Sequence, residues 1–141
     1  IPIFVDPKGK RWKKYYGASI ITPNLKEAED VVGRELTCDE DVEEAGIEIC
    51  NHLGLNACLI TRGQNGMSYI SNDFKLHVCS EAKEIYDVSG AGDTVIASFV
   101  SAIVAGFDPE TVNFITLDSP NFLILINASP LTTQNLSIFF V

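Results

Sequence analysis

The sequence predicts an α/β fold in which a mostly parallel sheet carries helices on its faces. Two observations support this prediction. Short apolar runs that end at proline, glycine or aspartate alternate with segments whose apolar residues recur at helical spacing, which is typical of parallel sheets covered by helices. The 141 residues are 46% hydrophobic and 21% charged, a composition that fits one globular domain and argues against wholesale disorder.

Two strands and one helix are predicted first. Apolar residues 1–5 and 18–21 each precede a polar residue followed by proline, which favours two short buried strands. Asn24 is typical of a helix N-cap. Apolar residues then recur at helical spacing up to Gly33, where we expect this helix to end.

A second helix and three further strands are predicted next. The helix should run from Asp39 to Gly54, because acidic residues crowd its first turns, where the helix dipole favours them. The remaining elements are a buried strand at residues 57–61, a turn at residues 62–66 and a hairpin of residues 67–70 and 74–78.

Charge and hydropathy exclude several classes of function. The chain has 10 basic and 19 acidic residues, a net charge of −9, and non-specific nucleic-acid binding needs an excess of cations to neutralise phosphates. There is no run of about 18 apolar residues and no pattern of a signal peptide, so we expect no membrane span and a cytoplasmic location. Because the first residue is Ile1 and not methionine, we expect a further segment upstream.

The four cysteines show no metal-binding spacing, and no pair of them is separated by two residues. Their even number is compatible with two disulfides, but free thiols in a reducing compartment are the favoured interpretation. Cys50 and Cys58 lie in apolar contexts and are expected to be small core residues.

The sharpest motif is glycine-rich and occupies residues 87–94, with the order Asp-Val-Ser-Gly-Ala-Gly-Asp-Thr. Gly90 and Gly92 permit a tight turn, and a helix predicted from Asp93 or Thr94 would aim its free N–H groups at the same point. Such a pocket suits a phosphate, and Asp93 at its edge could accept a proton from a hydroxyl that attacks that phosphate. The alternative is a plain turn with Asp93 as N-cap, and spacing alone does not separate the two.

This motif and three others resemble the ribokinase-like (PfkB) family of carbohydrate kinases in order and approximate spacing. They are VDPKGK at residues 5–10, TPNLKE at residues 22–27, ITRGQNGM at residues 60–67 and YDVSGAGDTV at residues 86–95. The resemblance covers residues 1–114. It implies the catalytic, ATP-side half of a three-layer α/β/α domain with a mostly parallel sheet, without the N-terminal half and its lid.

Within the family, Val88 and the pair Lys8-Gly9 make the chain most similar to members that phosphorylate D-glycero-D-manno-heptose 7-phosphate at the anomeric hydroxyl. That reaction serves ADP-heptose and lipopolysaccharide core synthesis. The resemblance therefore implies a phosphotransferase that uses ATP and Mg²⁺, with a sugar phosphate as its partner.

The resemblance also implies roles for individual residues. Asp93 matches the general base, and Gly90, Ala91 and Gly92 match the loop that stabilises charge on the transferred phosphoryl group. The residues that match nucleotide or phosphate contacts are Thr61, Gly63, Gly66, Asp87 and Lys8. For Gly66 the residues alone favour a plain turn, and for Lys8 they favour a solvated basic loop.

Asn24 and Glu27 match the family's N-x-x-E motif, which positions Mg²⁺ and phosphate through ordered water. From the residues alone, the same pair is typical of a capping box at a helix start. Both roles can hold together, because one helix end can also face the phosphates.

Residues 115–141 depart from the family and are expected to form a divergent apolar tail. Three functions stay open. The first is a heptose 7-phosphate kinase, or a related kinase acting on ribose, fructose or a nucleoside. The second is a non-catalytic remnant that at most binds nucleotide, and the third is an interaction module that uses the tail to form a homodimer.

Overall fold

The computed structural model describes residues 2–78 and the strands at residues 113–116, 123–127 and 137–139. The chain forms two compact units, Ile1–Cys79 and Ser80–Val141. The described strands of the first unit are β1 (Phe4–Val5), β2 (Ile20–Ile21), β3 (Ala57–Thr61), β4 (Met67–Ser71) and β5 (Lys75–Val78). Its helices are α1 (Leu25–Val32) and α2 (Asp39–Leu53), with short 3₁₀ turns at Trp12–Tyr15 and Gly63–Asn65.

The sheet of the first unit has the order β1-β2-β3-β4-β5. Strands β1, β2 and β3 are parallel, so their carboxyl ends meet at one edge of the sheet. Strands β4 and β5 continue the sheet as an antiparallel hairpin, in which Thr61 of β3 pairs with Met67 of β4. The predicted α/β fold is confirmed, with a mixed sheet because the predicted hairpin contributes two antiparallel strands.

Strands β1 and β2 are shorter than the predicted runs at residues 1–5 and 18–21. The parallel register begins where Phe4 pairs with Ile20. Just before that point the amide of Ala18 donates to the carbonyl of Tyr15 at 3.1 Å, so it closes the preceding turn and does not join a strand. The turn after the 3₁₀ segment therefore uses the amide of Ala18, and β2 begins later than predicted.

The core lies between the sheet and the two helices. Helices α1 and α2 end at Gly33 and Gly54 as predicted, each with a left-handed glycine cap. On α2, Gly46 lies so close to Ile70 of β4 that an added Cβ would be 2.6 Å from its Cδ1 atom. The fully or almost fully buried side chains of this core cluster include Ile21, Val42, Ile49, Leu53, Ile60 and Ile70.

Two of the cysteines belong to this core. Cys50 and Cys58 are buried free thiols, as predicted. Burial raises the pKa of Cys50 to about 11 and raises the pKa of Cys58 well above its ordinary value. Cys38 is also a free thiol and is exposed, whereas Cys79 lies outside the described residues.

The described part of the second unit is an antiparallel sheet. Its strands are β6 (Asn113–Thr116), β7 (Leu123–Asn127) and β8 (Ser137–Phe139), in the order β6-β7-β8. The sequence reasoning assigned no elements to the tail at residues 115–141, where these strands largely fall. The predicted helix from Asp93 or Thr94 lies outside the described residues.

Within the part of the chain that the structure describes, neither helix combines the length and the apolar character that a membrane crossing requires.

Candidate functional site

Polar residues follow each of the three parallel strands at the carboxyl edge of the sheet. Lys8 follows β1, and Asn24 and Glu27 follow β2 at the start of α1. Thr61 is the last residue of β3. In open α/β sheets this edge is where ligands bind, so the fold brings these predicted site residues to one place.

Asn24 and Thr61 lie side by side. The amide of Thr61 donates to the carbonyl of Pro23 at 2.9 Å, and this contact extends the parallel pairing of β2 and β3 by an isolated bridge between Asn24 and Thr61. Backbone pairing therefore fixes the start of α1 next to the end of β3.

Asn24 and Glu27 form the capping box that the residues alone predict. The Oδ1 atom of Asn24 accepts from the amide of Glu27 at 2.8 Å, and Oε2 of Glu27 accepts from the amide of Asn24 at 2.9 Å. Each side chain satisfies an amide that the helix leaves without a partner, so the first turn of α1 is held rigidly.

Lys8 contacts two carboxylates at the same edge. Its Nζ atom lies 2.9 Å from Oδ2 of Asp6 and 3.9 Å from Oε1 of Glu27. The Lys8 side chain is 72% exposed, so these ion pairs add little stability, but they hold its ammonium close to the capping box. The structure thus brings Lys8 and Glu27 together at this edge.

The segment that carries Lys8 is anchored by two aromatic side chains of the 3₁₀ turn. The backbone amide of Lys8 donates to the hydroxyl of Tyr15 at 3.1 Å, and the indole Nε1 of Trp12 donates to the carbonyl of Gly9 at 2.7 Å. The amide of Lys8 lowers the pKa of Tyr15, and Lys14, whose ammonium lies 4.7 Å from the ring centroid, also lowers it. From the residues alone, packing was favoured over base stacking for these aromatics, and a place near the cleft was left open.

A groove with a volume of about 390 Å³ runs along this basic segment. Two of its lysines are paired with acids: Lys8 with Asp6 and Glu27, as described above, and Lys10 with Asp30 of α1 at 3.5 Å. A concave cationic surface beside a helix N-terminus attracts anions. The groove is lined by Lys8, Gly9, Lys10, Arg11, Lys13 and Lys14.

The turn after β3 presents its tip to solvent. Residues 63, 64 and 65 are exposed, and the amide of Arg62 donates to the carbonyl of Gly66 at 2.8 Å, which closes the turn. Gly63 has a φ of 58°, and Gly66 has a φ of 81° with a ψ of −129°. That conformation of Gly66 is open only to glycine, so the glycine of the motif is required by the backbone.

Arg62 is the residue that sequence reasoning missed. Its side chain is 10% exposed, and its Nη2 atom lies 2.6 Å from Oδ1 of Asp39. Its Nη1 atom donates to Oγ of Ser68 at 3.0 Å. Asp39 lies 23 residues before Arg62 and Ser68 lies 6 residues after it. The local signal was a cation within a turn, where a solvated side chain is the ordinary expectation.

The carboxylate of Glu27 suits a hydrated metal ion. Among the described residues, no three His, Cys, Asp or Glu side chains are grouped to hold a metal directly. The Oε2 atom of Glu27 already accepts from Asn24, while Oε1 lies on the side of Lys8. Mg²⁺ keeps several of its waters and needs few carboxylates, so the donor set fits an ion held with phosphate through water.

Five of the predicted site residues lie outside the described residues. They are Asp87, Gly90, Ala91, Gly92 and Asp93.

The fold and this edge together define the class: a ribokinase-like α/β domain with its polar residues at the carboxyl ends of parallel strands. A family model described as pfkB family carbohydrate kinase matches residues 1–113. The chain belongs to the pfkB family of carbohydrate kinases.

Similar curated proteins share the name bifunctional protein HldE. The chain is 47% identical to HldE of Proteus mirabilis over 107 residues, which is 75% of this chain and 22% of that protein. It is 43% identical to HldE of Mesorhizobium japonicum over 108 residues, 77% of this chain and 22% of that protein. The chain therefore spans under a quarter of the length of these relatives.

Solved structures share the fold. Phosphofructokinase-2 from Escherichia coli, in complex with substrates and products, aligns with a TM-score of 0.70 and 24% identity, covering 79% of this chain and 37% of that one. Ribokinase from Thermotoga maritima aligns with a TM-score of 0.63 and 27% identity, covering 77% of this chain and 37% of that one. Arabidopsis thaliana ribokinase, complexed with ribose and ATP, aligns with a TM-score of 0.67 and 24% identity. The alignment covers 77% of this chain and 36% of that one.

Proposed function

We propose that this chain carries the phosphoryl-donor side of a kinase that moves the γ-phosphate of ATP to the anomeric hydroxyl of D-glycero-D-manno-heptose 7-phosphate. The single observation that carries the proposal is the convergence of Lys8, the Asn24–Glu27 capping box and Thr61 at one edge of the sheet. The similarity to HldE proteins at 43–47% identity supports the choice of substrate.

The described residues supply binding and orientation. Lys8 and the N-terminus of α1 attract the phosphates of ATP. Thr61 and the exposed turn with Gly63 and Gly66 lie beside them as nucleotide contacts. Mg²⁺, held through water by Asn24 and Glu27, would neutralise negative charge on those phosphates.

The glycine-rich motif supplies the chemistry in this proposal. Asp93 accepts the proton of the sugar's anomeric hydroxyl. As that proton leaves, the hydroxyl oxygen forms a bond to the γ-phosphorus of ATP, and the bond from that phosphorus to the leaving ADP breaks. The amides of Gly90, Ala91 and Gly92 stabilise the charge on the transferred group, and Asp87 contributes to the same phosphate site.

The experiment has two arms on the purified chain. Titration calorimetry measures Mg-ATP binding without sugar, and a coupled assay measures ADP release with heptose 7-phosphate. Asp93→Asn should lower transfer by about 10²–10⁴-fold and leave Mg-ATP affinity within a small factor. Asp73→Asn, which removes an exposed carboxylate on the β4–β5 hairpin, is the matched control.

Two outcomes would redirect the proposal. Transfer that survives Asp93→Asn would contradict its role as base. Mg-ATP binding without transfer would support the second candidate, a non-catalytic nucleotide-binding remnant. Running ribose, fructose and fructose 6-phosphate beside heptose 7-phosphate tests the related sugars, and light scattering at the same concentrations tests whether the chain is a homodimer.

A further inference from the structure

Arg62 connects an exposed turn to the interior of the first unit. It follows Thr61 directly, and its backbone closes the turn through its bond to the carbonyl of Gly66. Whereas residues 63–65 are exposed, the side chain of Arg62 folds inward and is only 10% exposed. The turn is therefore fixed at its base by a buried guanidinium and open at its tip.

The guanidinium bridges two elements that are distant in sequence. Nη2 lies 2.6 Å from Oδ1 of Asp39, the first residue of α2, and Nη1 donates to Oγ of Ser68 on β4 at 3.0 Å. Ser68 is fully buried. One side chain thus ties the exit of β3 to the start of a helix and to the neighbouring strand.

A chain of hydrogen bonds continues from Ser68. Oγ of Ser68 accepts from Nη1 of Arg62 and forms a second hydrogen bond, of 2.8 Å, with Nδ1 of His77, which also lies 3.4 Å from Nη1 of Arg62. The Nε2–H of His77 then donates to Glu43 at 3.0 Å, and Glu43 also accepts from Lys75 at 2.6 Å. The network therefore runs from Arg62 through Ser68 and His77 to Glu43 and Lys75.

Stability alone explains this arrangement of Arg62 poorly, because burying a guanidinium is energetically unfavourable. The side chain of Arg62 is 10% exposed and that of Asp39 is 53% exposed, so the guanidinium loses much of its hydration while its ionic partner keeps most of its own. The Nε atom of Arg62 is moreover buried without a hydrogen-bond partner. What the guanidinium does supply is two contacts of defined geometry, to Asp39 and to Ser68, that hold the base of the turn in place.

We propose that Arg62 is a positioning residue for the nucleotide, which fixes the turn at Gly63–Asn65 by holding its base to α2 and β4. The inference rests on the proposed function, because that function places the turn at the phosphates of ATP. The contact is indirect: Arg62 faces the interior, and the exposed tip faces the ligand.

The test compares Arg62 variants with matched controls in the full chain. Arg62→Met removes the guanidinium, and Arg62→Lys keeps its positive charge. Asp39→Asn removes the negative charge of one partner, at a side chain that is 53% exposed, where folding is least at risk. Arg34→Met removes an exposed arginine whose partner is Glu48, and Glu40→Gln removes a second charge from the first turn of α2.

Two quantities are measured for each folded variant. The first is the dissociation constant for Mg-ATP, taken well below the unfolding midpoint so that lost stability does not enter it. The second is the position of the Gly63 and Gly66 amide resonances without nucleotide. We expect Arg62→Met to weaken Mg-ATP binding by about tenfold and to shift the resonances of Gly63 and Gly66. Arg62→Lys and Asp39→Asn should change the affinity and the resonances less. The control variants should change neither.

Two results would overturn the inference, and they are distinguishable. If the unaltered chain binds Mg-ATP and both Arg62→Lys and Asp39→Asn bind it equally well, Arg62 does not position the nucleotide and the proposed function stands. If the folded, unaltered chain binds no Mg-ATP, the proposed function fails and the positioning role fails with it.

Discussion

The hydroxyl of Tyr15 accepts a hydrogen bond from the backbone amide of Lys8 at 3.1 Å. The two residues belong to different segments, one on the 3₁₀ turn and the other directly after β1. This bond sets the path of the backbone that carries the Lys8 ammonium to the carboxyl edge of the sheet. The phenol of Tyr15 therefore helps to shape the candidate site.

The ionisation of Tyr15 reports this contact. Because the amide of Lys8 and the ammonium of Lys14 favour the phenolate, the pKa of Tyr15 is lowered from its ordinary value of 10.0. We expect Tyr15→Phe to remove the earliest part of the tyrosinate absorbance change in an alkaline titration. Tyr16→Phe, at a side chain that is 74% exposed, is the matched control and should leave that part in place. Equal loss of early absorbance in both variants would contradict the contact.

The capping box gives a prediction for stability. Asn24→Ala leaves the amide of Glu27 without its partner and should lower the free energy of unfolding by about 1 kcal/mol. Asn51→Ala is the matched control, since Asn51 is exposed within α2 and alanine favours helix there. Urea unfolding measures both. A loss in Asn51→Ala as large as that in Asn24→Ala would show that the capping contact is not the cause.

The start of α2 makes stability depend on pH. Hydrogen bonds donated by the amide and hydroxyl of Thr37 lower the pKa of Asp41 from 3.8 to about 2, and Cys38 adds to this. A folded-state pKa below the unfolded value means that the contribution of Asp41 is complete above about pH 4 and is lost as the pH falls towards 2.

Asp41→Asn should therefore be less stable than the unaltered chain near neutral pH, and the difference should shrink between pH 4 and pH 2. Urea midpoints measured across that range check it. Glu44→Gln removes an exposed acid of the same helix and corrects for the general effect of losing one negative charge. A difference that stays constant down to pH 2 would count against the hydrogen bonds from Thr37.

The close approach of Gly46 to Ile70 predicts the effect of a methyl group. The added Cβ of Gly46→Ala would lie 2.6–2.9 Å from three side-chain atoms of Ile70. Overpacking of this kind should lower the free energy of unfolding by about 1–3 kcal/mol, despite the better helix propensity of alanine.

A double-mutant cycle isolates that contact. Ile70→Val removes the Cδ1 atom that lies nearest and should alone cost about 0.5–1.5 kcal/mol. The double variant should then be more stable than the sum of the two single losses implies. Strict additivity would mean that Gly46 is required for another reason.

Elements with strong local patterns were predictable from the sequence. The helix starts at Asn24 and Asp39, together with the hairpin after β3, follow from capping residues and apolar periodicity, and the structure has them. The convergence of Lys8 with Glu27 was also predictable, because parallel strands bring their carboxyl ends to one edge.

Two features were not predictable, each for a physical reason. Strand β2 was expected to begin at Ala18, but the apolar run does not reveal that the amide of Ala18 closes the preceding turn. The burial of Arg62 depends on partners 23 residues before it and 6 residues after it in the chain, and no local pattern signals such a pairing.

The reactivity of the buried thiols of Cys50 and Cys58 reports how fast the first unit opens. Only the thiolate reacts with alkylating reagents, and burial both shields these sulfurs and keeps them protonated. Their modification must therefore wait for the unit to open, whereas exposed Cys38 can react in the folded state. Timed alkylation followed by mass spectrometry would read opening rates from the natural chain, with no added fluorophore and no engineered reporter.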